Sequence, residues 1–149
     1  MVRLLCFALL TTIGLNAAPH AQGPTNTLYI QVLRGTERNR SPEAEWKAIG
    51  PKLSQKLSSV FKWKHYWEVK RQKVAVTQEK VTKIYLLPDR DLEIETVKGG
   101  PAELRLYLKG ELRRKLRLPV KTKVAILGGD SAEDEGWFIV VRRDKPSGE

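Results

Sequence analysis

Apolar and polar positions alternate with a period of two over much of the chain. Residues 27–33 (TLYIQVL) set Leu28, Ile30 and Val32 against Tyr29, Gln31 and Leu33, the pattern of a strand. Further strands are predicted over 81–87, 92–97, 102–108, 112–120, 123–127 and 137–142. Between 61 and 70, Phe61, Trp63, His65, Trp67 and Val69 fall on one face, and Lys62, Lys64, Tyr66, Glu68 and Lys70 on the other. The apolar parity then switches to Val74 and Val76, which places a bulge or bend near 70–73. Pro88-Asp89, Gly99-Gly100-Pro101, Gly110 and Gly128-Gly129-Asp130 supply the turns. Strands this close, with no helix between them, pair antiparallel.

One stretch carries the helical period instead. Ser41-Pro42 reads as an N-cap followed by proline at the first helical position, with Glu43 and Glu45 in the first turn. Trp46, Ile49, Leu53, Leu57 and Val60 then recur at steps of three or four. Gly50-Pro51 interrupts that stripe, and proline inside a helix costs about 3 kcal/mol. One kinked helix or two short ones are therefore expected after the first strand. The whole pattern predicts a single α+β domain over 26–143, an antiparallel meander of six to eight strands with the helix covering one sheet face. A small β-barrel or sandwich with the helix at one end is the alternative. Residues 144–149 form a polar tail.

Charge selects one hairpin register. With Lys98 opposite Ala102, Leu92, Ile94 and Thr96 face Leu108, Leu106 and Leu104, Glu95 faces Arg105, and Asp91 faces Lys109. Sliding by one pair sets Glu95 against Glu103, and like charges directly opposite cost on the order of tenths of a kcal/mol. The first register is expected. On the following strand Arg114 occupies a position where the pattern of Leu112, Leu116 and Leu118 asks for an apolar side chain.

The N-terminus follows another logic. Arg3, the apolar run 4–15 and the small residues Ala17, Ala18 and Ala21 match a secretory signal over 1–21. The run is too short for a bilayer core, which takes about 20 apolar residues, so no transmembrane span is expected in the mature chain. The protein is expected to be exported, to the periplasm or the exterior. Cleavage after Ala21 removes Cys6, the one cysteine of the sequence, so the core and not disulfides must hold the fold. A chain of 149 residues has material for one such core.

Composition then narrows the chemistry. His65 is the one histidine left after cleavage and no cysteine remains, so the chain lacks a zinc or iron ligand set, and no cofactor is expected. Asp130, Glu133, Asp134 and Glu135 crowd one turn without the spacing of a calcium loop and read as a solvated hairpin tip. Ser41, Ser54, Ser58 and Ser59 sit at helix caps or surfaces, and no glycine loop can cradle a phosphate. Glu93 and Glu95 share a strand face as an acid/base couple would, but basic neighbours across the hairpin are their expected partners. The reading is not an enzyme. Four tryptophans raise the question of sugar stacking; the parity instead sends Phe61, Trp63 and Trp67 inward beneath the helix.

The formal charge of +10 is the strongest signal outside the core. Lys62, Lys64, Lys70 and Arg71 gather on one predicted strand, and Arg113, Lys115 and Arg117 on another. If those strands are neighbours, one sheet face suits an anionic polymer: lipopolysaccharide, acidic polysaccharide or nucleic acid. The segments 29–36 (YIQVLRGT), 50–69 (GPKLSQKLSSVFKWKHYWEV) and 127–141 (LGGDSAEDEGWFIVV) resemble a group of small exported bacterial proteins. That group joins an RGT or WGT strand end to an FKWK-Y-EV strand and a closing GGD…WF-V hairpin. The resemblance implies export and a single domain, and carries no catalytic residue over. Two functional expectations follow: an envelope accessory that takes a protein partner by strand addition, or a binder of anionic polymer through the basic face.

Overall fold

In the computed structural model, which describes residues 25–132 and 134–146, the described residues form nine strands and one helix. The export signal over 1–21, Glu133 of the acidic turn and residues 147–149 of the tail lie outside the described residues. The strands are β1 (Thr25–Thr36), β2 (Lys47–Ala48), β3 (His65–Thr77), β4 (Val81–Leu87), β5 (Arg90–Thr96), β6 (Ala102–Leu108), β7 (Glu111–Leu118), β8 (Val124–Ala132) and β9 (Glu135–Arg142). The helix α1 is Pro51–Ser58.

The strands build two open antiparallel sheets, β2-β3-β1-β9-β8 and β4-β5-β6-β7, and neither closes into a barrel. A consecutive meander is confined to the four-stranded sheet. The expected single meander of six to eight strands fails at β1, where Leu28, Ile30 and Val32 are buried on one face and Leu33 on the other. A strand apolar on both faces belongs in the middle of a sheet, and β3 and β9 pair with its two edges.

The inner faces of the two sheets share one core. Leu28, Ile30, Val32, Val76, Ile139 and Val141 of the larger sheet meet Ile84, Leu92, Ile94, Leu104, Leu106 and Leu118 of the smaller. Each such side chain contributes roughly 1.5–3 kcal/mol when fully buried. On the outer face of the larger sheet, α1 sets Leu53 and Leu57 onto Leu33, Tyr66, Phe138 and Val140. The order of layers is helix, sheet, sheet. The helix thus covers a sheet face, as expected, while two sheets face each other in the manner of the sandwich alternative.

The helix begins where proline was expected to break it. Pro51 occupies the first turn, after an extended Gly50 (φ −67°, ψ 157°) whose carbonyl accepts from the Ser54 N–H at 2.9 Å. Proline has no N–H to lose there and its fixed φ suits the first turn, so a start at Pro51 avoids the cost of an interior proline. Residues 41–46 form turns instead: Ser41 Oγ donates to the Glu43 carbonyl, and the Trp46 N–H does so at 3.2 Å. Val60 lies past the C-cap at Ser59 and is 71% exposed, so it is no part of the buried stripe.

The parity expected for 61–70 is also corrected. The strand starts at His65, and Tyr66 is buried in the same cluster as Trp63, whereas His65 and Trp67 are half-buried. After α1 the chain turns back, with the Phe61 N–H donating to the Leu57 carbonyl at 2.8 Å, and crosses the outer face of the larger sheet. Trp63 seats there directly on backbone: a Cβ on Gly136 would lie 2.6 Å from its Cζ3. Glycine at 136 is what lets the indole approach so closely. Further on, Val32 pairs with Lys70 and Leu33 with Glu68, so the bulge falls on Val69, one residue before the expected window.

The β5–β6 register is the one that charge argued against. Glu95 faces Glu103, Ile94 faces Leu104 and Glu93 faces Arg105. Both registers keep leucines and isoleucines together, so the ion pairs decide. Arg105 donates to Glu95 at 2.6 Å and to Glu103 at 2.7 Å, and Lys115 on the next strand lies 3.1 Å from Glu103. Two cations absorb the repulsion that a two-strand account left in place.

Candidate binding cleft

The inner face of the four-stranded sheet changes character along its length. Across β6 and β7 the pairs run Ala102 with Leu118, Leu104 with Leu116, and Leu106 with Arg114. Arg114 therefore stands in the leucine row that faces the other sheet, the place where the sequence pattern asked for an apolar residue. On β7 the burial ends with Leu118, and residues 111–117 are exposed. Leu116 is 37% exposed and Leu112 51%. The two sheets gape beside β7.

A tier of alternating rings and guanidiniums closes the near end of the core. Arg34 of β1 lies 5.3 Å from the Trp46 ring centre and 4.9 Å from that of Trp137, and Arg90 of β5 lies 5.0 Å from the Trp137 ring centre as well. Arg34 pairs with Glu135, and Arg90 with Asp89 at 2.8 Å. Burial pulls the Arg34 pKa down, opposed by Glu43 and reinforced by the charge of Arg90. Such stacks hold cations where water is scarce.

Two cavities meet at Arg114, and the smaller of them opens against this tier. The smaller, about 260 Å³, lies among Arg90, Leu106, Arg113, Arg114, Trp137 and Ile139. The larger, about 420 Å³, is walled by Phe61, Trp63, Leu116, Ile126 and Phe138, with Arg114 and Lys115 at its rim. Phe61 and Trp63 thus do two things. They pack with Leu53 and Leu57 beneath the helix, as the sequence led us to expect, and they also line an open groove, which it did not. Among the described residues Arg114 makes no hydrogen bond or ion pair, while Arg113 pairs with Glu111 at 3.1 Å.

The seven basic residues singled out from the sequence do not share one face, because β3 and β7 belong to different sheets. Lys62 and Lys64 precede β3: Lys62 lies 5.2 Å from the Trp63 ring centre, and Lys64 pairs with Glu37 at 3.2 Å. Lys70 donates to the carbonyls of Tyr85 and Leu86, both at 3.1 Å, and ties β3 to β4. Arg71 holds Glu68 in a two-pronged pair at 2.9 Å. Arg113, Lys115 and Arg117 stay together on β7, and Arg117 makes no ion pair among the described residues. Sequence reasoning noticed Arg114 as a misfit without assigning it to the site. It met Arg34 only within the RGT strand end and assigned it to no site, and it did not single out Arg90.

The candidate acid and base groups are engaged elsewhere. Glu93 accepts from the Tyr107 hydroxyl at 3.0 Å, which holds the phenol pKa up, and Glu95 is held by Arg105. His65 opens β3 opposite Thr36. Among the described residues no three His, Cys, Asp or Glu side chains are placed to hold a metal ion, and no helix is long and apolar enough to cross a membrane. Set against models of known families, curated proteins and solved structures, the chain matches none of them.

Proposed function

We propose that the protein is an exported, non-enzymatic domain that takes a protein partner by adding a strand to its four-stranded sheet along β7. The observation that carries this reading is the state of that edge: among the described residues β7 pairs with β6 alone, and residues 111–117 are exposed along their length. An unpaired edge offers a row of backbone donors and acceptors, and recognition by strand addition uses that row for affinity and alternate side chains for specificity. The charges select the partner. Arg113, Lys115 and Arg117 repel a second copy of β7 and attract a strand with acidic residues at alternate positions. Export rests on the N-terminal pattern, and the absence of catalysis on Glu93 and Glu95 being tied to Tyr107 and Arg105.

An extended peptide of about eight residues alternating leucine and aspartate is the probe. Its binding should protect β7 backbone amides from hydrogen exchange, and R113E/K115E/R117E should abolish the protection. Absence of protection with the peptide at saturating concentration overturns the reading. Heparin is the comparison ligand: salt-sensitive heparin binding with β7 amides left unprotected assigns the basic residues to an anionic polymer instead.

A further inference from the structure

We propose that the cleft around Arg114 binds an amphipathic anion, with its acid group on Arg114 and its apolar body in the larger cavity. The site lies on the inner face of the sheet, and its occupation does not depend on strand addition at the β7 edge.

The placement of Arg114 is the first ground. Its partner across the sheet is Leu106, and its row continues through Leu116 and Leu118, so its stem starts toward the space between the sheets. A leucine there would extend the core. An arginine leaves the space open and charged.

The charge balance is the second. Asp89 answers Arg90, Glu111 answers Arg113 and Glu135 answers Arg34, but no carboxylate answers Arg114 among the described residues. Arg114 is exposed and so open to an incoming anion, and its planar guanidinium presents a fork that fits a carboxylate, sulfate or phosphate oxygen pair.

The third ground is the wall facing it. Phe61, Trp63, Leu116, Ile126 and Phe138 give the larger cavity an apolar lining, and its volume of about 420 Å³ falls within the range of small-molecule sites. A short acyl chain fits such a lining; a sugar or an inorganic ion leaves it unused. Phosphate alone therefore lacks most of the recognition, and each pair of methylenes removed from a chain should weaken binding roughly tenfold.

Titration calorimetry with octanoate and octyl sulfate, beside 1-octanol and inorganic phosphate, tests the assignment. Saturable binding of either anion, at least tenfold tighter than phosphate, is expected, and the stronger of the two identifies the acid group. Arg114→Leu should weaken the anion at least tenfold. Arg114→Gln controls for refilling of the cleft by leucine: it should also lose the anion and leave octanol binding unchanged. Lys64→Gln, outside the cleft, should bind as the parent does. Equal binding of the anion by the parent and both Arg114 variants overturns the proposal, as does phosphate binding as tightly as octyl sulfate, or no saturable binding of either anion.

Discussion

The two faces of the four-stranded sheet use arginine in opposite ways. On the outer face Arg105 sits among three carboxylates, at 2.6 Å from Glu95, 2.7 Å from Glu103 and 3.8 Å from Glu93. One strand away, on the inner face, Arg114 has none among the described residues. The outer cluster is a lattice of surface ion pairs, which sets register more than it adds stability. The inner arginine contributes no such pairing and interrupts a leucine row. Arg114 is exposed beside an apolar groove, and the anion proposed above would use both.

The sharpest way to break this comparison is to test whether the inner face is really divided. Leu104, fully buried, should lose about 2–5 kcal/mol on replacement by alanine, measured by urea unfolding. Leu116, its partner across β7, is 37% exposed, and the same substitution should cost less than about 1 kcal/mol. Equal losses at the two positions would mean that the sheets close over Leu116 and that the cleft does not exist. Next in size comes the tier that ends the core. Arg34→Ala removes a guanidinium that lies against two edge-to-face tryptophans and strands Glu135, and should cost about 2 kcal/mol by the same measurement. Arg34→Lys should recover only part of it, because an ammonium has neither a planar face for a ring nor a fork for a carboxylate.

How much of this was written in the chain differs from element to element. The spans of β4 and β6 follow from alternation alone, since both are short, half-buried and bounded by turn residues. The region from 41 to 70 does not, because two periodicities overlap there. A stripe that looked helical through Trp46 continues across the start of α1, and only the backbone demand of Pro51 shows which part is helix. The parity failed at Tyr66 and Trp67 because Phe61 and Trp63 belong to a returning loop and not to β3, so the facing of Trp63 is set by the glycine seat at 136, distant in sequence. For the cleft, Arg114 was visible as a break in a leucine pattern. Arg34 was visible only as part of the RGT strand end and Arg90 not at all, since pairing through β1, β9 and the smaller sheet brings them to Trp137, and no local pattern encodes that meeting.

The smallest effect belongs to the outer face and concerns pH. The Lys115 ammonium, joined by Arg105, holds the Glu103 carboxyl below its ordinary value. A carboxyl depressed in the folded state stabilises the fold fully above its unfolded value of about 4.3, and that contribution disappears as pH falls through the folded value. Stability should therefore slope downward below about pH 4, and Glu103→Gln should flatten the slope while leaving the alkaline side unchanged. High salt should flatten it as well, since exposed pairs are screened. Tyr66 supplies the opposite limb. Burial beneath the helix holds its phenol above the ordinary value, so its contribution is intact below about pH 10 and is lost as pH rises through the folded value. Tyr66→Phe should remove the alkaline limb and spare the acid one. Urea midpoints followed across pH for the two variants separate the layers: if Glu103→Gln leaves the acid slope as steep as before, the carboxylates around Arg105 do not act as the counterweight that makes Arg114 exceptional.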